Sequence, residues 1–494
     1  MPPYSSYLGA FSVFATAALG ESRSSWTLGQ GIEVNWQSGP QQLSIVQANK
    51  TLLATVPGQS FLSASAGKDQ WAGANGNFNY TNVDLNRCQG QNVTGITHSL
   101  RGDSISGEDV SIQGYLQHCG DQSIGYSISF WVPKALPDRV AFNISVEPGH
   151  KRISPMKSCA QASFASMKNQ TIPIFTREQG VGRGDQPITA LENSQSWFSG
   201  GNEFTTYTAI PQYISSAARP NAVTVRYDAL TVGGHVMQAD TMLNAITMLT
   251  DYVGKMPTLP EWVDHGAILG IRGGQEKVER IVKEGLKQDC PVAAVWLQDW
   301  SGTHSQEAPY GNMQISRLWW NWESDSKLYP TWTEFVQDLR EEYGVKTLAY
   351  INPFVANVSS KADGYRRNLF LEATKGGYMA QNSTTNGTAI ISSGKGIQAG
   401  ILDLTNQKTR SWFADVLRKQ VWNANISGVM WDFGEYTPIT PDTKLANISS
   451  DAYFYHNQYP RDWAIFQRSV AKEMPLFDEM VTFHRSARSA LTAT

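Results

Sequence analysis

In the second half of this 494-residue chain, short apolar runs end abruptly in polar side chains, four times over. Val292–Leu297 runs into Gln298, Asp299 and Trp300. Lys346–Ile351 runs into Asn352 and Pro353. Gly428–Trp431 runs into Asp432, Phe433, Gly434, Glu435 and Tyr436, and Met480–Phe483 runs into His484, Arg485 and Ser486. Between these runs the apolar spacing turns helical. Glu276–Gln288 lines up Val278, Ile281, Val282 and Leu286, and Trp332–Tyr343, Thr409–Trp422 and Asp462–Glu473 also read as helices. Gly266–Ile271 reads as an earlier buried strand. Five strands alternating with helices predict a parallel sheet, either doubly wound or a barrel. In a (β/α)8 barrel the reactive groups gather at the C-terminal ends of the strands. Four polar strand ends in a row favour that fold over a doubly wound sheet, where one or two suffice. No G-x-G-x-x-G follows the first strand, which argues against a dinucleotide fold.

Residues 21 to about 255 have a different rhythm. Short alternating runs such as Tyr126–Val132 and Val223–Tyr227 are separated by Gly, Asn, Asp and Pro, as in a β-sandwich. The expected organisation is therefore α/β with an N-terminal all-β domain: a β-sandwich over 21–255, then a (β/α)8 (TIM) barrel domain over 256–494. Ahead of both, residues 1–20 read as a secretory signal. An apolar stretch from Leu8 to Leu19 runs into small residues, though no Lys or Arg precedes it. Ten N-x-S/T sequons fit a secreted glycoprotein: Asn49, Asn79, Asn92, Asn143, Asn169, Asn357, Asn382, Asn386, Asn425 and Asn447. Cys88, Cys119, Cys159 and Cys290 allow three complete pairings, which spacing does not separate, and they do not have zinc-site spacing. With 41% hydrophobic residues the chain buries a large core, and a net charge of −3 without a basic patch makes nucleic acid a poor partner. No apolar run reaches the length of a transmembrane helix.

Asp432 leaves its strand at the expected active face, between Trp431 and Phe433, which suit a dry aromatic wall. A carboxylate there suits nucleophilic attack on a glycosidic carbon, a chemistry that commonly takes two carboxyl groups. The bland alternative is a helix N-cap or a loop ion pair. Glu435, three residues on, suits a sugar hydroxyl. Asp299 is either a substrate ligand or a structural partner of a buried Arg. Arg317, Trp319, Trp320, Asn321 and Trp322 form a cationic and aromatic cluster after the second strand. A guanidinium fork there suits an anionic oxygen group; the alternatives are stacking on Trp or an ion pair with Glu323 or Asp325. The chain has no HExxH, no phosphate loop and no G-x-S-x-G, so metal hydrolysis, phosphoryl transfer and serine esterase chemistry lack support, and no metal or cofactor is expected.

The segment Val429-Met430-Trp431-Asp432-Phe433-Gly434-Glu435-Tyr436 resembles the nucleophile segment of glycoside hydrolase family 31, in the form found in its sulfoquinovosidase branch. Gln298-Asp299-Trp300-Ser301-Gly302 and Arg317-Leu318-Trp319-Trp320-Asn321-Trp322 resemble that branch too, and Glu178-Gln179-Gly180-Val181-Gly182-Arg183-Gly184 resembles a pocket-closing loop of the family. The resemblance implies a retaining α-glycosidase acting by double displacement, with Asp432 as nucleophile and Gln298, Arg317 and Trp320 around a sulfonate. It extends the substrate-binding set to Asp299, Trp300, Glu435 and Arg485. It implies a small anionic glycoside as partner.

The resemblance also implies an acid/base Asp and a sulfonate-contacting Tyr beyond the fifth strand, past Thr494. On that reading both are absent here, the barrel is truncated after about five strands, and a fragment or truncated gene model is expected. Five strands do not close an eight-stranded barrel, so an exposed apolar edge is expected. Two other readings stay open: an α-glucosidase or α-xylosidase of the same family, or an inactive carbohydrate-binding remnant.

Overall fold

The computed structural model describes residues 23–74, 77–88, 90–117, 123–147, 175–179, 185–194, 200–202, 205–209, 231–307, 314–392, 398–448, 452–474 and 476–487. The signal segment, the strand expected at Val223–Tyr227, residues 180–184 of the pocket-closing loop, Cys119, Cys159 and the tail after Ala487 lie outside these residues. Two compact units are formed: Met1–Gln70 with Tyr80–Cys159 and Ile214–Tyr252, and Trp71–Asn79 with Ala160–Tyr213 and Val253–Thr494.

The first unit is a β-sandwich. A four-stranded antiparallel sheet runs Arg23–Gly29, Ile32–Gln37, Gln42–Gln47, Lys50–Ala54 in sequence order. A five-stranded antiparallel sheet has the order Thr231–Met237, Arg139–Val146, Ile124–Trp131, Glu108–Gln117, Gly90–Leu100. Alternate residues of both sheets meet in one core, with Val34, Trp36 and Ile45 from the first and Ile112, Ile128 and Phe130 from the second. Cys88 is disulfide-bonded to a partner outside the described residues, and Cys290 of the second unit is free and exposed. No helix among the described residues is long and apolar enough to cross a membrane.

The second unit is built on five parallel strands: β1 (Ala267–Ile271), β2 (Val292–Leu297), β3 (Lys346–Ile351), β4 (Gly428–Trp431) and β5 (Val481–His484), hydrogen-bonded in that order. Four helices alternate with them: α1 (Gln275–Lys287), α2 (Trp332–Tyr343), α3 (Gln407–Gln420) and α4 (Tyr459–Ala471). Strand order follows chain order without a reversal, as in a barrel and unlike a doubly wound sheet. The sheet is also strongly curled. Trp296 on β2 and Phe483 on β5 meet edge to face at 5.7 Å, although three strand spacings of about 4.8 Å separate their strands in a flat sheet. Among the described residues the sheet stays open, with Ile268 on β1 and Phe483 on β5 exposed.

Strand alternation divides the side chains between two faces. Val295, Leu297, Ala349, Ile351, Val429 and Trp431 join the helices in the main core. Trp431 stands edge-on to Trp463 of α4 at 5.5 Å, and Trp463 stacks on Phe466. On the concave face Ala294, Leu348 and Val481 form a smaller cluster with Trp296. Helix ends are set locally: the Asn406 side chain accepts the Lys408 amide at the start of α3, and Gly344, with φ 67°, closes α2.

The last junction between the units falls between Tyr252 and Val253, and Ala160–Tyr213 is grouped with the parallel unit although the sequence reading gives all of 21–255 to the sandwich. Residues 175–209 belong with the parallel unit because their backbone is tied there. Thr176 donates to Asn457 at 2.9 Å, its carbonyl faces the His456 ring, and Thr208 bridges Ala487 in parallel.

The loop after β2 is held by a buried ion pair, Lys361 Nζ to Asp325 Oδ2 at 2.8 Å, with both side chains 3% exposed. Burial pushes the Asp325 carboxyl up, but Lys361 and the amides of Leu328 and Lys327 outweigh it and hold the carboxyl below its usual range. Replacing Lys361 with Met leaves that carboxylate unpaired, and a loss of about 3–5 kcal/mol is expected in urea unfolding. The stabilisation by Asp325 is present above the carboxyl's unfolded pKa and is lost as pH falls through its lowered folded value; unfolding midpoints measured from neutral to acid pH check this. Trp463→Ala is expected to cost about 3–5 kcal/mol by the same measurement, through the cavity left between α3, α4 and β4.

Candidate active site

The concave face ends in the groups with chemistry. On each strand the residues two apart from the interior positions continue the same face: Trp296 leads to Gln298, Leu348 to Tyr350, Met430 to Asp432, and Phe483 to Arg485. The Asp432 amide extends the ladder by donating to the Ile351 carbonyl at 2.8 Å. The chain then turns sharply. Phe433 takes φ 59° and Gly434 φ 125°. A Cβ at Gly434 would meet Pro460 and Ser486 at 3.4–3.5 Å, so the turn needs both glycine's conformation and its lack of bulk.

Asp432 is nearly buried and receives two elements at once. The Tyr350 hydroxyl donates to its Oδ2 at 2.5 Å, and Asn352 Nδ2 donates in turn to the Tyr350 oxygen at 3.2 Å. Burial and the neighbouring Asp432 carboxylate push the Tyr350 phenol well above its usual range, so it stays a donor. From β5, Arg485 brings Nε to 3.1 Å from Asp432 Oδ1. Neither of those two atoms makes an aligned hydrogen bond, so the contact is one of charge.

Arg485 also donates through Nη2 to Glu435 Oε1, and its Nη1 lies 3.8 Å from Glu178 Oε1. Its guanidinium carbon sits over the Phe433 ring, 3.8 Å from the centroid, with the Tyr207 ring at 5.4 Å. Burial opposes the Arg485 charge, but Glu435, Asp432 and Glu178 overcome it and hold the guanidinium protonated. Burial pushes the Glu435 carboxyl up to about 7, against the pull of Arg485 and with the help of Glu178 and Asp432. The Glu178 carboxyl is also raised, by burial first, and feels both Arg485 and Arg317.

Trp320 joins this group through a shared ring. It stacks on Phe354 at 4.9 Å and meets Phe433 edge-on at 5.9 Å. Gln298 is half-buried at the end of β2 and makes no side-chain hydrogen bond among the described residues. Arg317 lies on an exposed hairpin, Thr303–Glu307 with Gln314–Leu318, across from His304. The ion pairs with Glu323 or Asp325 that the sequence left open do not form, because Glu323 is held by Arg366 and Asp325 by Lys361. Arg317 is thus an exposed guanidinium with no carboxylate partner among the described residues.

Two expected substrate ligands sit elsewhere. Trp300 is fully buried, donates its indole N–H to the Tyr350 carbonyl at 2.8 Å and stacks on Trp332, so it is core and not wall. Asp299 falls on the helix-facing side of its strand. Its Oδ1 accepts the Tyr329 hydroxyl and its Oδ2 the Gly273 amide, each at 2.7 Å, which gives it a structural duty tying β2 to the β1–α1 turn. No buried Arg partners it among the described residues. Trp431 likewise leaves the aromatic wall for the core, and Phe433 stays in the wall. Sequence reasoning missed Tyr350 and Tyr207. Alternation from Asp432 through its paired strand points to Tyr350, whereas Tyr207 carries no such signal.

Comparison with known proteins places this geometry. Residues 258–490 match the TIM-barrel domain of glycosyl hydrolases family 31. A sulfoquinovosidase of Escherichia coli (strain K12) is 30% identical over 342 residues, covering 66% of this chain and 48% of that protein. One of Agrobacterium fabrum is 29% identical over 355 residues, covering 67% of this chain and 50% of that protein. The chain thus spans about half the length of the curated relatives it matches. A family 31 sulfoquinovosidase from E. rectale, solved with the aza-sugar inhibitor IFGSQ, has the same fold, with a TM-score of 0.69 at 22% identity over 92% of this chain and 66% of that one. Residues 258–490 are therefore similar to the family 31 glycosyl hydrolase barrel domain, and about two thirds of the chain is similar in sequence to sulfoquinovosidases.

Proposed function

We propose that this protein acts on α-glycosides of a sulfonated sugar, with Asp432 as the nucleophile of a retaining hydrolysis. Asp432 attacks the anomeric carbon, the glycosidic oxygen leaves with its electron pair, and water later cleaves the glycosyl ester. The observation that carries the substrate class is Arg317. An exposed guanidinium that makes no ion pair among the described residues, and whose charge reaches Glu178 of the site, suits an anion brought by the ligand. Gln298 adds amide donors that are unused among the described residues at the end of β2, and Trp320 offers a face on the same wall as Phe433.

An aryl α-sulfoquinovoside with a weakly basic phenol as leaving group needs little protonation. Assay with it therefore does not depend on which residue supplies the acid. Asp432→Asn is expected to remove turnover of this substrate, and retained activity would refute the nucleophile assignment.

Arg317→Glu is expected to raise KM for the sulfonated glycoside ~10–100-fold, the factor that about 1.5–3 kcal/mol of charge-assisted hydrogen bonding represents. The matching neutral α-glucoside should be unaffected. Equal losses on both substrates, or a wild-type preference for the neutral one, would move the assignment to an α-glucosidase or α-xylosidase.

A further inference from the structure

Three carboxylates, those of Asp432, Glu435 and Glu178, face the guanidinium of Arg485, and Glu178 also feels Arg317 and Arg177. Asp432 and Glu435 have Arg485 as their shared cation in a place largely shut off from water, and with all three carboxylates ionised the charge counted around Arg485 alone is −2, so like charges repel strongly. One proton relieves the strain, and exposure decides where it sits. The Glu435 side chain is 0% exposed, against 7% for Asp432 and 30% for Glu178. Glu435 Oε2 is buried without a hydrogen-bond partner, whereas Asp432 Oδ2 accepts the Tyr350 hydroxyl.

We propose that Glu435 is a charge-compensating positioning residue: it holds Arg485 against Asp432, and its proton answers to the charge on Asp432. The proposal rests on the reading of Asp432 as nucleophile only for its catalytic meaning. When the Asp432 oxygen bonds to the anomeric carbon, its negative charge goes into the ester as the leaving group departs with the bonding pair. Arg485 then loses one counter-ion. Glu435 releases its proton to solvent and becomes that counter-ion, so the charge around Arg485 is unchanged before and after. The charged and titratable groups facing Glu435 are Arg485, Glu178, Asp432 and the Tyr207 phenol. Its carboxyl already lies near 7 with Asp432 ionised, and the Asp432 charge is one of the causes.

This differs from a direct contact between Glu435 and a sugar hydroxyl. It is tested without turnover by infrared titration of the protonated carboxyl band in the full chain. In the wild type a band is expected to titrate near pH 7 and to be missing in Glu435→Gln. In Asp432→Asn, which mimics the uncharged ester, the same band should titrate about one unit lower. No band lost in Glu435→Gln, or an unmoved midpoint in Asp432→Asn, overturns the proposal. If Glu435→Gln fails to fold, the comparison of wild type with Asp432→Asn decides alone. Because neither reading needs catalysis, failure of Asp432 as nucleophile would appear in the aryl glycoside assay and not here.

Discussion

A parallel strand sends alternate side chains to opposite faces, and in the second unit that constraint decides which residues do chemistry. The faces turned to the helices fill with Leu297, Ile351 and Trp431, packed against α1 to α4. The opposite faces curl toward each other until Trp296 and Phe483 touch across three strand intervals. Curling brings three strand ends together, so that Tyr350, Asp432 and Arg485 come within hydrogen-bond or ion-pair distance.

Most of the scaffold was legible in the sequence because apolar period and strand length agree there. Val292–Leu297, Lys346–Ile351, Gly428–Trp431 and Trp332–Tyr343 match the structure residue for residue, and the other three helices read from the sequence differ by one to three residues at their ends. The site was legible in outline. Asp432 and Arg485 were recognisable as polar groups terminating apolar strands, and the aromatic cluster around Trp320 stood out by density. The misplacements have two physical origins. Strand alternation turns Asp299 and Trp431 toward the helices, whereas Trp300 has the parity of Gln298 and reaches the core because the chain has already left the strand at Leu297. Glu178 illustrates a different limit: it comes from a segment some 250 residues before Asp432, and only the resemblance to a pocket-closing loop, not local apolar pattern, tied that segment to the site.

Arg485 is the point where these contributions are balanced. Its flat face needs an aromatic platform and its edges need carboxylates, and the two demands are met from one loop, by Phe433 and Glu435. A lysine has a point charge and no plane, and would satisfy only one of them. The cluster therefore behaves as a unit, in which altering one charge changes what the other groups do.

Phe433 shows what this arrangement costs the backbone. Its φ of 59° lies in a region that bulky residues enter only under constraint, at about 1–3 kcal/mol. Glycine at that position would relax the turn, yet it would also take away the ring on which the guanidinium rests. A substitution that makes the loop easier to fold is thus one that loosens the counter-ion of Asp432. Selection for thermal robustness alone would tend to erode this corner first, and a variant library scored for both properties would find them opposed at this residue.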